Sequence, residues 1–146
     1  MKNNLFAIAV LIIIIGLSAC KKEVKHTTFP PPVWKEDQTG KYPVSMTAVV
    51  TMYYELNMSL MPDDQMAAFV NDECRGVGQI VKVSPISTVF FILIHGTAAE
   101  QNKIKFKYYS TKSSYMYATA DFLDFKIDSN FGTADKPETL ELKPVD

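Results

Sequence analysis

The 146-residue sequence predicts an all-β protein, an antiparallel β-sandwich of immunoglobulin- or fibronectin-like type with about 7–8 strands. Three observations lead there. Apolar and polar residues alternate with period two over several short runs, these runs are separated by Gly, Pro, Asn, Asp and Ser, and no helical period persists beyond a turn or two. No internal repeat is present, which excludes solenoids and propellers.

The elements follow in order. In SMTAVVTMYYEL the residues Met46, Ala48, Val50, Met52, Tyr54 and Leu56 fall on one face, with Thr47, Thr51 and Glu55 on the other, as a half-buried strand requires. Shorter apolar runs follow at Met66 to Val70, Gly76 to Val83 and Thr88 to Ile94. The last is apolar on both faces and therefore reads as a central strand. KIKFKYY sets Ile104, Phe106 and Tyr108 against Lys103, Lys105 and Lys107, and further strands are expected at Tyr115 to Thr119, Phe122 to Ile127 and Thr139 to Leu142. Turn residues fill the gaps, among them Met61 to Asp64, Asn71 to Glu73, Gly96 to Asn102 and Asp128 to Lys136.

Ahead of these runs, Lys2 precedes the apolar stretch Leu5 to Gly16, and Ser18 and Ala19 precede Cys20, the order of a secretory signal. Twelve apolar residues reach only about 18 Å as a helix, against a hydrocarbon core of roughly 30 Å, so a spanning anchor is disfavoured. The segment LSAC resembles the lipobox of bacterial lipoproteins. That resemblance implies cleavage before Cys20, a diacylglyceryl group on its thiol and acylation of the new amino terminus. The expected organisation is a signal peptide over 1–19, a lipidated cysteine with a Pro-rich linker over 20–42, and a β-sandwich domain over 43–146. Pro30, Pro31 and Pro32 favour an extended stalk, with Trp34 packing where stalk meets domain.

Loss of residues 1–19 would leave 127 residues (146 less 19) carrying 14 basic side chains (15 less Lys2) and 16 acidic ones. That suits one domain with one core. A near-neutral surface without a basic run lacks the charge that phosphate neutralisation needs, so nucleic acid is not an expected partner. With Cys20 lipidated, Cys74 has no disulfide partner in the chain, and it reads as a small buried thiol rather than a nucleophile.

The segment MPDDQMAAFVNDECRGVGQI, then VFFILIHG and IKFKYYSTKSSYMYAT, resembles a module of secreted and surface proteins of Bacteroidota. The matching residues are Ala67, Ala68, Phe69, Val70, Glu73, Cys74, Arg75, Gly76, Phe90, Phe91, Ile104, Phe106, Lys107, Tyr109 and Tyr117. The likeness covers roughly Met46 to Leu142 and implies a β-sandwich of accessory or adhesion-like type at the cell envelope. Such surface lipoproteins tend to carry acidic residues directly after the lipidated cysteine, whereas here Lys21 and Lys22 precede Glu23. That departure favours an outer-membrane anchor facing the periplasm over surface exposure.

Chemistry is sparse. Period two places Glu73 and Arg75 on one face and Cys74 on the other, with Gly76 and Gly78 free to form a bulge or a close approach. The structural reading of Glu73, Cys74, Arg75 and Gly76 is a corner, and its lesser alternative is a calcium site built from Asp63, Asp64, Asp72 and Glu73. Met58, Met61 and Met66 read as core filling rather than a copper site. His95 and His26 assemble neither a zinc site nor a catalytic triad, and no cofactor motif is present. A hydrolase using carboxylates such as Asp121 and Asp124 is the enzymatic alternative. Tyr109, Tyr115 and Tyr117, together with Tyr53 and Tyr108, lie on or beside strands. Outward they would form a platform for a glycan or an envelope protein, and inward they would be ordinary packing. The expected function is therefore non-catalytic: a membrane-tethered binding or structural protein of the cell envelope.

Overall fold

The computed structural model describes residues 25–84, 87–120 and 123–146. Cys20, Lys21, Lys22, Glu23 and Asp121 lie outside the described residues. Two sheets pack face to face. The first has the order β10 (Glu138–Leu140), β1 (Val44–Met52), β5 (Ser87–Gly96), β4 (Gln79–Ser84), with β9 (Asn130–Phe131) also on β1. The second runs β11 (Lys143–Pro144), β7 (Tyr115–Ala118), β6 (Lys103–Ser110), β2 (Gln65–Val70), β3 (Glu73–Val77), with β8 (Leu123–Asp124) on β6. Most pairs are antiparallel, but β9 and β10 run parallel to β1, pairing Thr47 with Asn130 and Val50 with Glu138.

The alternation read from the sequence in β1 and β6 meets one face each of β2 and β5 in the core. Met46, Ala48, Val50 and Met52 of β1 and Phe90, Ile92 and Ile94 of β5 meet Met66, Ala68 and Val70 of β2 and Ile104, Phe106 and Tyr108 of β6. Leu140 and Leu142 close one side. β5 lies between β1 and β4, in register Val50 to Phe90 and Ile80 to Phe90.

Four local expectations differ from the structure. β1 ends at Met52, and Tyr54–Met58 forms a one-turn helix, α1, instead of extending the strand. Asn57 explains the turn, since its Nδ2 donates to Thr51 Oγ1 at 2.7 Å and to the Thr88 carbonyl at 3.2 Å, tying α1 back onto β1 and β5. The run from Gly76 to Val83 is not one strand but a corner. Gly78 N–H donates to the Met66 carbonyl at 2.7 Å as the last bond to β2, and one residue later Gln79 pairs with Phe91. Gly76 permits this crossing, because a Cβ there would sit 2.2 Å from the Leu93 carbonyl oxygen. The Asp128 to Lys136 stretch, expected as turn alone, contains β9, and the short β11 follows Leu142.

The fourth difference concerns the Pro-rich segment, which lies on the folded domain. Phe29 N–H donates to the Ser114 carbonyl at 2.8 Å, Tyr109 Oη–H donates to the Phe29 carbonyl at 3.2 Å, and Trp34 meets Phe69 edge-on at 5.5 Å. An extended polyproline strip has no side-to-side hydrogen bonds of its own to satisfy, so it can lie along a sheet face and cover it. Ala67, Phe69 and Tyr109, on the outer face of the second sheet, are buried in consequence.

Candidate functional site

The tyrosine platform does not form. β6 and β7 pair Tyr108 with Tyr117, Tyr109 with Met116 and Ser110 with Tyr115, so Tyr109 does not stand beside either tyrosine of β7. Tyr117 turns inward against Tyr108, ring centroids 5.8 Å apart, and burial pushes its hydroxyl pKa up. Tyr109 faces outward but is buried beneath Phe29. Tyr115 pairs with Thr28 and meets the His26 ring edge-on at 5.5 Å. The hairpin register separates these residues, and the amino-terminal strip covers what remains.

The acidic cluster is likewise dispersed. Among the described residues no three His, Cys, Asp or Glu side chains gather as a metal site. Asp64 precedes β2 while Asp72 and Glu73 follow it, so six strand residues, about 20 Å, hold them apart. Asp64 is buried and accepts four hydrogen bonds. Oδ2 takes Tyr108 Oη–H at 2.5 Å and Met61 N–H at 2.9 Å, while Oδ1 takes Thr111 N–H and Oγ1–H, both at 2.7 Å. Burial first, then Asp64, drives the Tyr108 pKa far upward, so the phenol stays a donor. Asp63 is exposed. Asp72 is held below the usual carboxylate range by its hydrogen bond to Lys107 at 3.1 Å. Asp64 ties the loop before β2 to β6 and its following turn, whereas Asp72 makes a surface pair.

A bulge interrupts the ladder at the corner. β2 and β3 pair Phe69 with Cys74 and Ala68 with Gly76, which leaves Arg75 as the extra residue of a bulge. Glu73 and Arg75 lie side by side, as the alternation predicts, but Arg75, expected at the rim, is buried. Its guanidinium carbon lies 3.4 Å from the Tyr42 ring centroid, and Nη1 donates to Glu100 Oε2 at 3.1 Å and to the His95 carbonyl at 3.3 Å. Nε makes no hydrogen bond and faces Glu73 Oε2 at 3.8 Å. Tyr42 and Lys41 donate to Glu73 and lower its pKa. Cys74 is only half-buried on the outer face, not deep in the core. Partial burial raises its thiol pKa, which suppresses the thiolate.

Of the methionines read as core filling, Met66 is in the core whereas Met58 and Met61 are exposed. Asp124 is paired with Lys103 at 2.5 Å, and that hydrogen bond lowers its pKa, which keeps it ionised and unsuited to donating a proton near neutral pH.

A furrow that single-residue reasoning missed runs between the amino-terminal strip and the outer face of β5. One depression of about 500 Å³ is lined by Thr47, Gln79, Phe91, Leu93 and His95, with Val77 and Glu36 at its side. The next adds Trp34, Lys35 and Gln38 and shares Glu36 and Val77, so the two are continuous. Leu93 is 50% exposed at its floor. Glu36 Oε2 lies 3.6 Å from His95 Nε2 across the rim. An apolar floor with amide, carboxyl and imidazole groups at its edges can take a ligand that has one apolar face and hydrogen-bonding edges. The both-faces-apolar run of β5 was the signal for it, because outward Phe91 and Leu93 on a two-sheet sandwich need a cover or a ligand. A second depression of about 320 Å³, at Thr119, Leu140, Glu141 and Lys143, has no aromatic wall, and its charges pair with each other at 3.3 Å.

Comparison with protein-family models, with curated proteins and with solved structures returns no match.

Proposed function

We propose that this is a lipid-anchored protein of the bacterial cell envelope whose β-sandwich binds a glycan or a protein rather than catalysing a reaction. The anchor reading rests on Cys20, at the end of LSAC after the apolar run Leu5 to Gly16. The binding reading is carried by one observation, the half-exposed Leu93 on the floor of the furrow beneath the Glu36–His95 rim. The engagement of Asp64, Asp72, Glu73 and Asp124 in structural pairs supports a non-catalytic role. The resemblance to Bacteroidota envelope modules agrees with this location. Lys21 and Lys22 directly after Cys20 support a periplasm-facing position at the outer membrane, which protease shaving of intact cells tests.

Leu93→Asp places a charge on the furrow floor without touching the core. The protein is screened on a glycan array and by photocrosslinking in envelope preparations, with its melting temperature as control. Retention that Leu93→Asp abolishes at unchanged melting temperature is the expected result, and binding indifferent to this change overturns the furrow as the site. Cys20→Ala is expected to abolish fatty-acid labelling and leave an unprocessed precursor. Persistent labelling overturns the anchor.

A further inference from the structure

The large apolar side chains left open to solvent are not scattered. Of the eight among the described residues, Tyr53, Tyr54, Met58, Met61 and Val83 lie at one end of the sandwich, where β1 runs into α1 and β4 turns into β5. Tyr54 is 73% exposed and Met58 67%: Leu56 packs against the core and Asn57 bonds back to β1 and β5, which leaves Tyr54, Glu55 and Met58 of this one-turn helix facing outward. The loop after α1 is fixed at the same end through Asp64, which bonds Met61 N–H and Thr111 at the β6–β7 turn.

The amino-terminal strip enters the fold at this end too. Thr28 pairs with Tyr115, Phe29 bonds Ser114 and His26 packs on Tyr115, all at the β6–β7 turn. From Cys20 to Lys25 there are five residue steps, which reach at most about 18 Å when fully extended. The sandwich is longer than that, since the nine residues of β1 alone extend about 30 Å. A lipid on Cys20 therefore keeps the Tyr53–Met61 end within about 18 Å of the bilayer, a limit that the opposite end, with Asn71 and Gln101, does not share.

We infer that this end docks on the membrane surface, with Tyr53, Tyr54, Met58 and Met61 seated in the interfacial layer of the bilayer that holds the lipid. The inference rests on the lipid-anchor reading and adds an orientation to it. The chemistry fits a lipid surface, because tyrosine carries an apolar ring and a polar tip and collects at the level of the headgroups. Charge does not oppose it: among the exposed side chains Lys25, Lys82 and Lys112 lie around this end against Glu55, Asp63 and Asp146, the last bonded to His26, so the end carries no net charge of its own. With that end on the bilayer, the furrow on the outer face of β5 remains open to the side.

The test uses the full-length chain, expressed in bacteria, checked for fatty-acid labelling, purified and reconstituted into phosphatidylcholine–phosphatidylglycerol vesicles with or without lipids brominated near the headgroup end of their chains. Wild-type protein has one tryptophan, Trp34, as background. Tyr54→Trp adds a reporter at the docking end and Gln101→Trp one at the far end, both at exposed positions. Brominated lipid is expected to quench the added emission of Tyr54→Trp about twofold, as befits an interfacial ring, and to leave Gln101→Trp and Trp34 unchanged. A labelled Tyr54→Trp protein that is not quenched overturns the docking and leaves the anchor standing. An unlabelled chain overturns both readings. A blue shift that grows with protein concentration in lipid-free detergent, without quenching in vesicles, assigns the patch to a second copy and overturns membrane docking as well.

Discussion

Asp64 supports the sharpest quantitative prediction about the fold. Its two oxygens accept four hydrogen bonds, two apiece, and on each oxygen one donor is a backbone N–H: Met61 on Oδ2 and Thr111 on Oδ1. Asp64→Asn keeps the shape but turns one oxygen into an NH2 group. Whichever way the amide is flipped, that group faces a backbone N–H that cannot reverse its polarity. The hydroxyls of Tyr108 and Thr111 can rotate, but the N–H groups cannot. Asn should therefore be nearly as damaging as Ala. For Asp64→Ala, Met61 and Thr111 are partly accessible and regain water, while the hydroxyl of Tyr108, a residue with no exposed surface, does not. One stranded buried hydroxyl at about 1–3 kcal/mol, added to the loss of hydrogen bonds to a charged group at about 1.5–3 kcal/mol each and discounted for rehydration, gives about 3–5 kcal/mol for Asp64→Ala. Tyr108→Phe alone should cost about 1.5–3 kcal/mol, and in the Asp64→Ala background it should cost nothing or stabilise, because it removes the stranded group. Equilibrium urea denaturation followed by Trp34 fluorescence measures all four corners of the cycle. An Asp64→Asn protein within about 1 kcal/mol of wild type, or purely additive effects of Asp64→Ala and Tyr108→Phe, would refute this reasoning.

Gly76→Ala drives a Cβ to 2.2 Å from the Leu93 carbonyl oxygen and 3.1 Å from Ile92 Cγ2, with backbone on both sides of the clash. Destabilisation of about 3 kcal/mol, read as a fall in melting temperature of about 10 °C, is expected, and a shift under 2 °C would mean the strands do not cross so closely. Asp72, Glu73 and Asp124 all have folded pKa values lowered by lysine or tyrosine hydrogen bonds. A lowered folded pKa stabilises at pH above the unfolded value, about 4, and that stabilisation disappears as pH falls through the folded value. The melting-temperature gap between wild type and Asp72→Asn/Glu73→Gln/Asp124→Asn should therefore close between pH 5 and 3, by the linkage relation. It should also be modest at every pH, because these pairs are exposed and screened. A gap that widens towards pH 3 would show that the pairs do not act through ionisation.

Period two was enough to determine which residues of β1 and β6 face the core, because alternation is a property of an extended chain wherever the ladder continues unbroken, whereas the all-apolar runs of β2 and β5 left their inner faces to the packing. Turn residues bounded those strands, and the two glycines at Gly76 and Gly78 marked the corner. The reading stopped where the ladder stopped. The glycines there allowed a bulge, but that Arg75 would be its extra residue and be buried against Tyr42 and Glu100, with Cys74 left half-exposed, depends on partners distant in sequence. The tyrosines were beyond local reading for a different reason. Which of Tyr109, Tyr115 and Tyr117 stand together depends on hairpin register, and whether an outward face is open depends on what lies over it. Here that cover is a Pro-rich strip some eighty residues earlier in the chain, bonded to Tyr109 through Phe29. The furrow arises the same way, from Trp34 and Glu36 meeting Leu93 and His95 across a long separation in sequence. Strand identity, and the inner face where apolar and polar residues alternate, are short-range consequences of backbone geometry. Surface exposure, and with it every candidate site, is set by long-range packing.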